Sequence, residues 1–178
     1  ALNSPGEQPL SEVLTARFAA FVQHAWNPDT GRFRNFMGFN RTWLEASGSE
    51  DSHARTLWAL GETARSDATP SRRQWAAALF AEALSTVETF RSPRAWAFTL
   101  LGLGAYCAVA PDDLHAQEIR HSLADRLMSC LASVETPDWV WFEEGLAYDN
   151  ARLPQALMMT GAATQTPEYV QAGLRSLR

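Results

Sequence analysis

The sequence predicts an all-α protein of about seven helices, paired as α/α hairpins. Three observations predict it. Nearly every long segment carries apolar residues at helical spacing, and almost none alternates like a strand. Ser-Pro, Pro-Asp and Thr-Pro pairs punctuate those segments where helices start and stop. Helices with a charged outer side also take turns with helices poor in charge, the pattern of a double-layered array.

The elements follow in order. Residues 1–9, ALNSPGEQP, form no periodic pattern and are expected to be extended or disordered, ahead of a single domain over 10–178. Leu10–Trp26 sets Val13, Leu14, Phe18, Phe21 and Val22 on one face and stops at Asn27-Pro28. A second helix follows Asp51 and Ser52, either of which can cap it, and runs through Leu57, Trp58 and Leu60 to about Arg65. The third covers Ser71–Phe90. Ser92-Pro93 opens the fourth, which runs to Ala110; a serine there accepts free N–H groups, and a proline lacking an N–H costs nothing in a first turn. Pro111-Asp112 leads into the fifth, Leu114–Val134. The sixth is expected near Asn150–Ala163, and Thr166-Pro167 starts a seventh.

Composition bounds the rest. The chain has 178 residues, 46% hydrophobic and 20% charged, the mix of a globular domain. Its fifteen basic residues are all Arg, and the net charge is −5, so no basic stripe exists for nucleic acid. No apolar run is long enough to span a bilayer, and no signal peptide is visible. Cys107 and Cys130 read as buried thiols of a reducing compartment, hence a cytoplasmic protein. His24, His53, His115 and His121 form no metal-ligand pair, so neither a metal nor another cofactor is expected.

Two connections are long, 27–50 and 136–149, and long loops in compact domains usually carry function. Both lead into the N-terminal end of a charge-poor helix, so both are expected on one rim of the array. The first loop interleaves Phe33, Phe36, Phe39 and Trp43 with Arg and Asn. The second reads TPDWVWFEEGLAYDN and places Trp139, Trp141, Phe142 and Tyr148 beside Glu143, Glu144, Asp149 and Asn150. Flat rings match the C–H faces of sugars, while carboxylates, amides and guanidinium groups bond their hydroxyls. The same rings can instead pin loops onto helix ends, with Asp51 and Asp149 as helix caps.

The candidate catalytic acids are Glu143, Glu144, Asp51 and Asp149. Adjacent carboxylates in an aromatic loop raise one another's pKa toward the range of a general acid, and Glu143, which directly follows the aromatic run, is the favoured one of the pair. Candidate ligand-binding residues are Trp43, His53, Arg55, Trp96, Trp141, Tyr148, Asn150 and Arg152, with Ser92 and Arg94 on the same rim.

The strings EDSHARTLWALG (50–61), SPRAWAFTLLGLG (92–104) and WVWFEEGLAYDNARLPQALMMTG (139–161) resemble a bacterial (α/α)6-toroid family of the six-hairpin glycosidase type. Such domains occur beside, or fused to, glycosyltransferases. The resemblance implies inner helices whose N-terminal ends surround a pocket, and a carbohydrate-active function. At about 45–55 residues per hairpin the chain supplies roughly half of a six-hairpin toroid. The rest of a longer chain, or a glycosyltransferase domain, is then an expected partner beside a saccharide. Hydrolysis would need two carboxyl groups about 5–5.5 Å apart for retention, or about 6.5–9.5 Å for inversion. The other readings are a non-catalytic saccharide-binding or glycosyltransferase-docking domain, a helical scaffold for a protein ligand, and a sugar epimerase or isomerase. Epimerases of this shape rely on paired histidines, and here only His53 is well placed.

Overall fold

The structure is a computed structural model, and it describes residues 8–178. The described residues form seven α-helices and one two-stranded sheet. The chain divides into two compact units, with the break between Ser49 and Glu50.

The first unit holds α1 (Gln8–Ala25) and a small hairpin of β1 (Trp26–Asn27) and β2 (Arg32–Phe33). The extended N-terminus expected over 1–9 thus falls mainly on residues outside those described, and Gln8 already begins the helix. The strands pair antiparallel, Trp26 opposite Phe33 and Asn27 opposite Arg32. The turn between them uses Gly31 at φ 63°, a left-handed conformation that glycine adopts without steric cost. Asn27 is buried and donates its amide to the Ala46 carbonyl, and Arg32 donates to that of Gly48. The backbone after the hairpin is folded back on it by these bonds.

The second unit runs from Glu50 to Arg178 and contains α2 (Glu50–Ser66), α3 (Pro70–Leu84), α4 (Pro93–Tyr106), α5 (Leu114–Val134), α6 (Arg152–Thr164) and α7 (Pro167–Arg175). Its packing is layered. Helix α4 packs between α2 and α6, while α3 lies against α2, α5 against α4 and α6, and α7 against α6 and α5. Helix α4 is accordingly buried nearly all round, as its lack of charge predicts. Where α2 crosses α4, a Cβ on Gly61 would lie 2.3 Å from the Gly102 carbonyl, and one on Gly102 would lie 2.8 Å from that of Leu57. Only glycines allow the two backbones to approach this closely.

The helix ends follow the punctuation. The Ser92 hydroxyl accepts the Ala95 N–H at the start of α4, and Asp113 accepts that of Ala116 at the start of α5. Other ends differ from expectation: α2 starts at Glu50, so Asp51 and Ser52 lie inside it instead of capping it, and α6 starts at Arg152. The third helix tightens into a 3-10 turn over Ser85–Thr89 instead of running to Phe90, and α4 stops at Tyr106 instead of Ala110. The Tyr106 hydroxyl donates to Asp113, tying the end of α4 to the start of α5. No described helix is long and apolar enough to cross a membrane.

Candidate functional site

In the second unit, residues from the N-terminal ends of α2, α4 and α6 meet those of the loop between α5 and α6. Glu50 opens α2 and accepts the backbone N–H groups of Arg91 and Ser92, both at 2.9 Å. A carboxylate from one helix end thus holds the segment that leads into the next.

Arg94, in the first turn of α4, organises the loop. Its side chain is only 5% exposed, and Nη1 lies 2.7 and 2.6 Å from the two oxygens of Glu143. Its Nε donates to the Tyr148 carbonyl and its Nη2 to the Asn150 amide oxygen at 2.9 Å. Asn150 is bonded in both directions to the backbone of Ala147, which closes the turn. Trp139 completes the clamp by donating its indole N–H to the Glu143 carbonyl at 2.8 Å. Burying a guanidinium is tolerated because its donors are matched by these acceptors.

A second group sits more openly. Arg55, one turn into α2, donates Nε to Asp51 at 2.8 Å and Nη2 to Asp149 at 2.5 Å. Two carboxylates, one from a helix and one from a loop, therefore stand on one guanidinium. Burial alone would lower the Arg55 pKa, but the bonds to Asp51 and Asp149 outweigh it and raise it. The Tyr148 hydroxyl donates to the other oxygen of Asp51 at 2.8 Å, while its ring stays 51% exposed. Desolvation, then the Asp51 bond, raise the Tyr148 pKa above the usual phenol value. Asp149 takes a left-handed backbone, φ 50°, an uncommon conformation that aspartate tolerates better than most residues.

Beneath the arginines lies a ring pair absent from the sequence expectation. Trp58 and Phe98 stack with centroids 6.0 Å apart and planes 14° from parallel. The Arg55 guanidinium lies 4.1 Å from the Phe98 centroid, and that of Arg152 lies 4.8 Å from the Trp58 centroid. The signal existed, in an aromatic three residues after Arg55 and another four after Arg94, but single helix patterns do not reveal pairing between helices.

The structure therefore gathers Asp51, Arg55, Glu143, Tyr148, Asp149, Asn150 and Arg152 in one cluster with Arg94. Glu143, favoured as general acid, has both oxygens taken by Arg94, so neither is free for a leaving group. Glu144 is exposed and makes no bond within the cluster. Neither aspartate is an N-cap: Asp51 lies inside α2, which starts at Glu50, and the N-cap of α6 is Ala151.

Within the second unit, three of the expected ligand-binding residues, His53, Trp96 and Trp141, lie outside this cluster. His53 is fully buried, with its ring nitrogen on the Ala83 carbonyl and its edge against Phe90, so it belongs to the core. Trp96 is 9% exposed and donates to the Phe90 carbonyl, which turns it away from the Arg94 cluster and toward Arg126 of α5. Trp43 belongs to the first unit, where its ring packs on Phe21 and His24 with the Arg34 guanidinium over it. Trp141 is 8% exposed and packs edge-on against Phe142; its buried indole N–H has no acceptor. It also lines a cavity of about 590 Å³ between the loop and the end of α7, together with Trp139, Leu146, Asn150 and Arg175. Asn150 thus belongs to both the cavity and the Arg94 cluster.

The two thiols are unpaired, Cys107 buried and Cys130 half-buried, and burial raises both their pKa values. Among the described residues no group of three His, Cys, Asp or Glu is placed to hold a metal ion. Family models, curated proteins and solved structures were all compared with the chain, and none matches it.

Proposed function

We propose that the chain is a carbohydrate-active module that binds a glycan over the ends of α2, α4 and α6, as part of an (α/α)-toroid. The observation that carries the reading is the exposed Tyr148 ring flanked by Asp51, Arg55 and Asp149, all linked by hydrogen bonds. A half-open phenol ring offers an apolar face to a sugar, and the fixed carboxylates and guanidinium around it offer acceptors and donors to hydroxyls. Such preorganised polar groups beside a ring are what a saccharide site requires. The cavity walled by Trp139 and Trp141 adjoins this cluster through Asn150 and gives a longer glycan room to continue.

Binding, rather than hydrolysis, is the primary reading. Glu143 meets Arg94 with both oxygens and Asp51 bonds Arg55 and Tyr148 with its two, while Asp149 is bonded to Arg55 through one oxygen. A general acid needs a carboxyl oxygen free to meet the leaving group. If hydrolysis occurs, its pair is Asp51 and Asp149, which share Arg55, and not Glu143. A glycan panel decides between the readings. Binding without turnover, weakened by Tyr148→Ala and Asp51→Asn, supports the module as a binder. Turnover that disappears in both Asp51→Asn and Asp149→Asn makes it a hydrolase, and absence of any glycan binding overturns both.

A further inference from the structure

We infer that Arg152 makes this site select glycans that carry a carboxylate, such as uronic acid residues, over neutral ones. The inference rests on the saccharide reading and names its substrate class. The cluster holds three arginines from three helices. Arg94 is neutralised by Glu143, and Arg55 by Asp51 and Asp149. Among the described residues no carboxylate pairs with Arg152. Its single side-chain bond is from Nη1 to the neutral amide oxygen of Gln155, at 2.6 Å.

That bond and the stacking on Trp58 hold the guanidinium in one orientation while leaving Nε and Nη2 without a protein acceptor. Trp58 is itself stacked on Phe98, which carries Arg55, so Arg152 is placed on the same ring pair as the rest of the cluster. A guanidinium on an aromatic face loses little freedom when it takes an anion, because its plane is already set. Two parallel N–H donors in a plane fit the two oxygens of a carboxylate. The three arginines of the cluster are matched in number by Asp51, Asp149 and Glu143, so the attraction for an anionic sugar is local to Arg152, the guanidinium among them that carries no carboxylate.

The test pairs oligosaccharides of glucuronic, galacturonic and mannuronic acid with their carboxyl-reduced, neutral counterparts, titrated calorimetrically into the wild-type chain and into Arg152→Gln and Arg152→Lys. The wild type is expected to bind at least one acidic oligosaccharide about tenfold tighter than its reduced counterpart. In Arg152→Gln the acidic and neutral forms bind alike, and Arg152→Lys retains only part of the discrimination. Circular dichroism melting establishes that each variant is folded. Equal binding of acidic and reduced forms by the wild type overturns the assignment to Arg152 while leaving the saccharide reading intact. So does discrimination that survives in a folded Arg152→Gln. If neither form binds while neutral glycans outside these series do, the selectivity is again refuted alone. If no glycan of any kind binds, the saccharide reading fails and takes the inference with it.

Discussion

Arg94 Nη1 reaches both carboxylate oxygens of Glu143, at 2.7 and 2.6 Å, with the guanidinium almost wholly buried. This contact joins α4 to a loop 49 residues further along the chain. Removing one partner of a buried pair leaves the other uncompensated and costs about 3–5 kcal/mol. Arg94→Met is therefore expected to lower the melting temperature by roughly 6–20 °C. Glu143→Gln should cost less, since an amide oxygen still accepts from Arg94. Thermal denaturation of both variants checks the order.

Glycines in α4 are expected to respond in opposite directions. Gly102→Ala places a methyl carbon 2.8 Å from the Leu57 carbonyl and forces α2 and α4 apart, a cost of about 1–3 kcal/mol. At Gly104 a Cβ meets nothing within 4 Å, and Gly104→Ala should stabilise the helix by about 0.5–1 kcal/mol. Urea denaturation of the two variants measures the contrast.

Asp67 sets an acid-side prediction. Its two oxygens accept from Nε and Nη2 of Arg72, each at 2.8 Å, and this pairing holds the carboxyl below its usual pKa despite burial. A carboxyl whose pKa is depressed by folding stabilises above its unfolded value and loses that contribution as pH falls through the folded one. The stability difference between wild type and Asp67→Asn should thus be full at neutral pH and shrink progressively below about pH 4. A difference independent of pH would contradict the pairing.

On the alkaline side all three tyrosines are shifted upward. Burial raises Tyr106 to about 12, helped by its bond to Asp113, and raises Tyr169, bonded to Asp125, still further; Tyr148 moves the same way. The phenols therefore stabilise the fold below pH 10, and that contribution is lost as pH rises through their folded values. Absorbance titration should show less than half of the phenolate signal at pH 10 in the folded chain, and Tyr106→Phe should remove the step near 12.

The helices were legible because their boundaries are chemical. Ser92-Pro93 and Thr166-Pro167 can hardly be read otherwise, and α5 runs over the residues its periodicity marks. The two-residue strands around Asn27 were not, because strands this short have no period to detect. At the site, loop composition correctly grouped Asp51, Tyr148 and Asp149, whose pairing depends on which helix ends adjoin. It failed for His53 and Trp96, because each stands two residues from a clustered neighbour yet points another way around its helix. A helix turns about 100° per residue, so small errors in facing separate a ligand contact from a core residue. Glu143 and Arg94 were both placed on this rim, but loop composition does not reveal that they pair with each other.

The most direct test of the saccharide reading is a two-dimensional amide NMR titration of the chain with the acidic and neutral oligosaccharides. Shifts are expected to concentrate at Asp51, Arg55, Tyr148, Asp149 and Arg152, and to weaken about tenfold in affinity with Tyr148→Ala. Shifts confined to residues remote from the ends of α2, α4 and α6, or no shifts with any sugar, would contradict it.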